Sequence, residues 1–446
     1  MLRKGDLTQG GITGTLLHFT LPMMVGSFLQ QCYNIADTLI VGQCIGAGAL
    51  AAVGSAYTLM VFLISVLLGL AMGSGTVFSL HYGAGNHVAL RRSIFSSFVL
   101  IGIVTLILNV AVFIWLDPIL RLLQVPQDIY GMMRSYSWII FCGIVFTFIY
   151  NFYASLLRAV GDSVTPLWFL AVSVVLNIAL DLFFILQLDW GIQGAAAATV
   201  LAQGVAALGI IIYTYRRRPE LRWHHEDMCF DRTCLKEIAS FSTLTCVQQS
   251  VMNLGILMIQ GLVNSFGTAV MAAFAAAVKI DSFAYMPVPE FGNAFSTFIA
   301  QNFGAGRYDR IHRGVRSAFV TAVVFSLLVS VLVFIFAKPL MLIFVRPDET
   351  EIIAVGVAYL RIEGAFYCGI GILFLLYGYY RAIRMPGMSV VLTVLSLGTR
   401  VVLSYWFASI PEIGVTGIWW SIPIGWLIAD VVGIWCYRYV KGVRGS

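Results

Sequence analysis

Two aspartates stand inside long apolar stretches of this sequence, where a carboxylate needs a reason to be. Asp37 falls in an apolar run, 14–41, together with Gln30 and Asn34. Their spacings of four and three residues put all three side chains on one face of a helix. Asp181 falls in a second run, 165–187, one helical turn after Asn177. A carboxylate at the centre of a membrane helix costs about 2.5–3.5 kcal/mol on insertion scales. Counted from the outer ends of their runs, Asp37, Asp181, Tyr136 in 129–157 and Thr199 in 191–215 share one depth, in the outer half of a bilayer. Two carboxylates, the Asn177 amide, a hydroxyl and a phenol at one level suit an oxygen-rich site for a cation or a proton. Sodium needs oxygen ligands, and a proton carrier needs a carboxylate that gains and loses its proton near neutral pH. The competing reading is structural: Asp37 caps a helix end and Asp181 bonds internally. The residues alone leave both open.

The second half of the chain carries different polar groups. Lys279, Asp281 and Glu290 lie in the run 270–302, Arg400 in 387–409 and Asp430 in 413–439. Glu290 and Arg400 sit at similar distances from the inner ends of their runs and are expected to pair, either as a structural ion pair or as a substrate contact. Pro287 and Pro289 remove backbone donors and should bend their helix. Gln249, Asn253 and Gln260 share a face of the run 238–264, and the first two are approximate counterparts of Gln30 and Asn34. Amides facing lipid are costly, so these stripes should line a central cavity or meet another helix.

The elements that must position these groups follow from composition. Of 446 residues, 60% are hydrophobic and 11% charged, with a mean hydropathy of +0.90. Soluble domains carry about 25% charged residues. Twelve apolar runs are long enough to span a bilayer: 14–41, 50–80, 93–116, 129–157, 165–187, 191–215, 238–264, 270–302, 314–337, 351–380, 387–409 and 413–439. With the amino terminus inside, Lys and Arg number about 20 in the inner segments, from Arg3 and Lys4 to Arg444, against 5 outside. This positive-inside bias sets both termini in the cytoplasm of a cell whose plasma (inner) membrane holds the chain. The net charge of +6 is then an orientation signal, with no basic domain for nucleic acid. Met1–Gly11 is polar and is followed by an apolar run of full span length, so no cleavable signal peptide is expected. The longest connection, 216–237, has no room for a catalytic or nucleotide-binding domain, and no GxxxxGK[ST] occurs. Cys229 and Cys234 beside His224, His225 and Asp227 lack the second close pair that a zinc site uses. No cofactor is expected beyond a sodium ion or proton as coupling ion.

The two halves repeat at an offset of 221–223 residues. Tyr82-Gly83-Ala84-Gly85-Asn86 matches Phe303-Gly304-Ala305-Gly306-Arg307, Tyr136 matches Tyr359, and Arg158-Ala159 matches Arg381-Ala382. Halves with an even number of spans keep the same orientation, and their axis runs along the membrane normal. The expected organisation is a six-helix lobe, 1–215, a cytoplasmic linker, 216–237, and a second six-helix lobe, 238–446. At the same offset Asn177 becomes Arg400, Asp181 becomes Ser404 and Thr199 becomes Ile422. The acid site therefore belongs to the first half.

Several short motifs in order carry a resemblance. Asp37-Thr38-Leu39-Ile40-Val41-Gly42, Ala51-Ala52-Val53-Gly54, the two Gly-Ala-Gly turns, Gln301-Asn302, Arg158-Ala159-Val160-Gly161-Asp162, and Asn177 with Asp181 together resemble the multidrug and toxic compound extrusion (MATE) family. The likeness covers essentially the whole chain, and Lys279–Asn302 looks most like the MepA-like bacterial branch. The resemblance implies an all-α membrane protein with a V-shaped pair of six-helix bundles. It also implies export of cationic, amphipathic drugs by sodium or proton antiport, and an ion site on Asp37, Asn177, Asp181 and Thr199 with Tyr136 nearby. Another branch uses acidic residues on helices 7 and 10; here helix 7 has none and Glu363 lies in the outer part of helix 10. A monomer in the lipid bilayer is expected, since no oligomerisation motif stands out. A lipid-linked saccharide flippase of the same superfamily is the alternative, although its cavity should be cationic. A membrane-embedded enzyme is a remote one, with six scattered histidines and no HExxH.

Overall fold

A computed structural model describes residues 6–122, 125–228 and 231–444. Arg3, Lys4 and Cys229 lie outside the described residues. The described chain is helical, with no strand among these residues. In order the helices are α1 (Ile12–Cys44), α2 (Ala47–Gly83), α3 (His87–Leu122), α4 (Gln127–Cys142), α5 (Ile144–Ala159), α6 (Val164–Leu182), α7 (Gly191–Arg217), α8 (Arg232–Asn264), α9 (Thr268–Tyr285), α10 (Pro287–Gly304), α11 (Tyr308–Met341), α12 (Thr350–Ala365), α13 (Tyr367–Ala382), α14 (Pro386–Ala408) and α15 (Gly414–Arg444). Among the described residues ten spans meet the length and hydropathy needed to cross a bilayer unaided, α9 and α10 counting as one, and α4+α5 and α12+α13 make twelve as bent pairs. The run of Pro287 and Pro289 is interrupted where expected, at Met286, with Pro287 opening α10. Leu, Val, Ile and Phe cover the outer helix faces, as a lipid solvent requires.

Two breaks were not legible in the sequence. α4 and α5 meet at 45° around Gly143, and α12 and α13 meet at 51° around Phe366. These positions are 223 residues apart, the repeat offset. The kink is thus a property of the repeated scaffold, although only one copy has glycine there.

The chain forms two compact units. One holds His18–Cys246; the other holds Thr8–Leu17 and the chain from Val247 on. In the first, α2, α3, α5 and α7 enclose a core that includes Leu67, Phe78, Ile101, Phe148, Phe152 and Ile210. In the second, the Phe274 ring stacks on Trp419 at 5.4 Å, and Tyr359 meets the same indole edge-on at 4.9 Å.

The repeated Gly-Ala-Gly turns stop helices. After α2, Asn86 N–H bonds to His81 C=O and Gly85 N–H to Tyr82 C=O, with Gly85 at φ +66°. After α10, Arg307 N–H bonds to Asn302 C=O and Gly306 N–H to Phe303 C=O, with Gly306 at φ +68°. Both are the paired bonds of a Schellman stop, whose left-handed residue is favoured as glycine. α5 ends the same way at Gly161, φ +85°, and Asp162 then caps α6 by accepting from Thr165 N–H at 3.0 Å. At the matching stop after α13 the left-handed residue is Arg384, φ +68°. Gly161→Ala should therefore lower the thermal unfolding temperature in detergent, since a side chain in this conformation costs roughly 1–2 kcal/mol of stability. Arg384→Gly should leave it unchanged or raise it.

Candidate functional site

Four elements of the first unit bring the acid site together. Tyr33 and Asp37 lie one turn apart on α1, Tyr136 lies on α4, Asn177 and Asp181 lie on α6, and Thr199 lies on α7. Asp181 is fully buried, and Asp37, Asn177, Thr199 and Tyr136 are buried as well. α6 gives way to a π-turn, Phe183–Gln187, two residues after Asp181, the kind of local widening that recurs at functional sites. At the α4–α5 break, a Cβ on Gly143 would stand 2.6 Å from Val200. Only glycine lets that junction come so close to α7 beside Thr199.

The polar contacts are specific. With its amide turned so that both ends are satisfied, Asn177 donates from Nδ2 to Asp181 Oδ2 at 3.0 Å. Its Oδ1 accepts from Thr199 N–H at 3.1 Å and from Thr199 Oγ1 at 3.3 Å. Tyr33 Oη lies 3.3 Å from Thr199 Oγ1. Asp37 and Asp181 face each other within hydrogen-bonding reach. The Oδ1 atom of each is buried with no donor partner among the described residues. Tyr136 lies in the electrostatic field of both. Asp37 sits well inside α1, which runs on to Cys44, so it caps no helix end. Tyr33 escaped the sequence reading, yet one signal was there: it precedes Asp37 by four residues and so shares its face.

The second unit holds a separate polar cluster. Asp281 on α9 accepts from Tyr367 Oη on α13. Tyr359 on α12 bonds to Asp281 and Glu363, and Arg400 on α14 acts on both carboxylates. Asp281 and Glu363 are each 4% exposed. The helices that carry the two residues of the expected Glu290–Arg400 pair pack chiefly on other elements, α10 on α13 and α11, α14 on α15 and α13. Glu290 has an interaction of its own. Where the first unit has Asp181, the second has Ser404, hydrogen-bonded to Ser421 at 2.6 Å. Tyr136 and Tyr359, repeat partners, each join the acid cluster of their own unit.

The polar stripes are less assembled. Gln30 is exposed and Asn34 half-buried on the first unit. Gln249, Asn253 and Gln260 are half-buried on the second, where Gln260 donates to Asn264 at 2.9 Å. Cys234 proves to lie in the first turn of α8, its Sγ 3.3 Å from Ser93 Oγ. No group of three or more His, Cys, Asp or Glu suited to a metal occurs among the described residues.

A model of the MatE family matches residues 22–183 and again 245–406. The chain is 31% identical to the probable multidrug resistance protein YpnP of Bacillus subtilis (strain 168), covering 98% of this chain and 97% of that one. It is 24% identical to the multidrug export protein MepA of Staphylococcus haemolyticus (strain JCSC1435), covering 95% and 92%. In fold it superposes with a TM-score of 0.92 on the outward-facing conformation of a multidrug resistance MATE family transporter, at 22% identity and 99% coverage of each chain.

Facing buried carboxylates repel when both are ionised. Asp37→Asn should therefore raise the unfolding temperature of purified protein at pH 8 in sodium-free choline buffer.

Proposed function

The chain belongs to the MatE family of membrane transporters, and from that premise we propose that it exports cationic, amphipathic compounds in exchange for sodium ions or protons. Membership makes it a multi-pass membrane protein and a transporter, not an enzyme. The names of YpnP and MepA support drugs and dyes as substrates. We place it in the plasma (inner) membrane as a monomer with both termini cytoplasmic. The lobes 1–215 and 238–446 are joined by the 216–237 linker, and transport proceeds by alternating access.

One observation carries the coupling assignment: the buried Asp37–Asp181 pair, with one oxygen of each carboxylate lacking a donor. Two ionised carboxylates so placed are stable only with a proton or a cation between them. If the ion is sodium, Asp37, Asp181, the Asn177 amide oxygen and the Thr199 hydroxyl supply its oxygens. If it is a proton, Asn177 holds Asp181 in place and the pair carries it. Either way the ion joins the groups of α1, α6 and α7. Its release would loosen that junction, which gives the site a way to bias the first unit's shape. The Gln30–Asn34 and Gln249–Asn253–Gln260 stripes, with Asp281, Glu290 and Arg400, serve as polar contacts for substrate in this reading.

Ethidium efflux from cells expressing the protein tests the assignment. Wild type should clear the dye, and Asp37→Asn and Asp181→Asn should each fall to the level of cells without the protein while their membrane expression stays intact. Unimpaired efflux in Asp181→Asn would remove the coupling role.

A further inference from the structure

α8 runs unbroken from Arg232 to Asn264 with no proline inside, yet its two ends belong to different units. As far as Cys246 it is seated on the first unit, and the seat is built step by step. Arg91 Nε donates to Asp227 Oδ2 at 2.7 Å just ahead of the helix. Cys234 Sγ then meets Ser93 Oγ at 3.3 Å, and Glu237 Oε2 lies 3.4 Å from His81 Nε2. Deeper in, Ser242 and Ser74, both fully buried, share a hydrogen bond at 2.8 Å. Successive contacts climb α8 while descending α2, so the two run antiparallel.

At the deep end the backbones touch. A Cβ on Gly73 would stand 2.5 Å from the Phe241 carbonyl oxygen, and one on Gly69 would stand 2.6 Å from the Cys246 Cα. Gly69 and Gly73 have the four-residue spacing that brings membrane helices into backbone contact. The segment ahead of α1 is treated in a repeat-related way. Thr8–Leu17 belongs to the second unit. Arg307 there donates to the Thr8 carbonyl at 2.6 Å, and Arg310 to the Gly10 and Gln9 carbonyls at 2.7 Å each. Thr13 meets Ser317 at 2.7 Å. The receiving groups flank or begin α3 in one case and α11 in the other, helices that correspond in the repeat.

A helix packed into two units cannot follow both when they rearrange. Either it bends at the change-over or one end lets go. α8 has neither proline nor break at Cys246–Val247, whereas its seat on α2 rests on one buried hydroxyl pair, one His81–Glu237 contact and glycine contacts. No hydrophobic drive holds helices together within lipid, so such a seat is the weaker element. We infer that Gly69, Gly73 and Ser74 of α2 and Phe241, Ser242 and Cys246 of α8 form a separable clamp, closed in this structure, that parts once in every transport cycle. The inference rests on the alternating-access reading above. It adds a contact within the first unit that has to part during the cycle and the residues that make it.

A disulfide tests the clamp, because hydroxyl oxygens 2.8 Å apart put the two positions within reach of one. Ser74→Cys and Ser242→Cys are combined in a variant freed of its native cysteines, and ethidium efflux is measured before oxidation, after it, and after reduction. Oxidation should abolish efflux and reductant should restore it. Transport by the cross-linked protein at the parent's rate would overturn the clamp while leaving alternating access intact, since α8 would then bend. Absence of gradient-driven efflux in the uncross-linked parent would overturn both. A second variant guards against a misfolded pair: Gly73→Ala has no room in the closed clamp and should speed maleimide labelling of Ser242→Cys several-fold. Unchanged labelling there would also overturn the proposal.

Discussion

The organising constraint is the cost of two carboxylates facing each other away from water. Two unit charges 4 Å apart repel by about 4 kcal/mol even at an effective dielectric near 20. An interhelical hydrogen bond within a membrane returns about 0.6 kcal/mol on average. Asn177 gives Asp181 a single hydrogen bond, and from within its own helix, far too little to hold both Asp37 and Asp181 ionised side by side. In the proposed function a sodium ion or a proton offsets that repulsion. The surrounding features answer that demand. Asp37 and Tyr33 share a helix face, Thr199 anchors both Tyr33 and Asn177, and Gly143 lets the α4–α5 break close over α7. A site assembled from four helices of one unit is also a site whose occupancy those helices can feel.

The repeat explains why only one half carries this arrangement. What the halves share is geometry: the bent fourth and tenth spans, the Schellman stops after α2 and α10, and a tyrosine at positions 136 and 359. What they do not share is charge. The second unit puts its carboxylates on α9 and α12 and answers them with Arg400, which stands where the first unit has Asn177. A guanidinium is a permanent cation in proteins. The second cluster thus stands in the field of a permanent cation, while no Lys, Arg or His acts on Asp37 or Asp181 among the described residues.

Much of this was legible before any coordinates. Twelve apolar runs, the offset near 222 and the positions of Asp37, Asn177, Asp181, Thr199 and Tyr136 all follow from residue type and spacing. Helical periodicity reports which residues share a face, so it placed groups on one helix well. It does not report which helices are neighbours, and that is where it failed. Glu290 and Arg400 are at matching depths on helices that pack chiefly on other elements, while Arg400 acts on Asp281 and Glu363, which lie on helices distant in sequence. The breaks at Gly143 and Phe366 were hidden for a related reason. A kink without proline comes from packing against another helix, and Phe366 carries no local mark of one. The exchange of α8 between units was equally silent, since Gly69 and Gly73 look like any small residues until Phe241 and Cys246 are found against them.

Proteoliposomes provide the direct measurement. Purified protein is reconstituted, a sodium or a proton gradient is imposed in turn, and ethidium movement and ion flux are followed together. The account predicts that one of the two gradients drives ethidium in the opposite direction to the ion, and that Asp181→Asn abolishes the coupled flux of both. Ethidium movement driven equally well in Asp181→Asn, or indifferent to both gradients in the wild type, would contradict it.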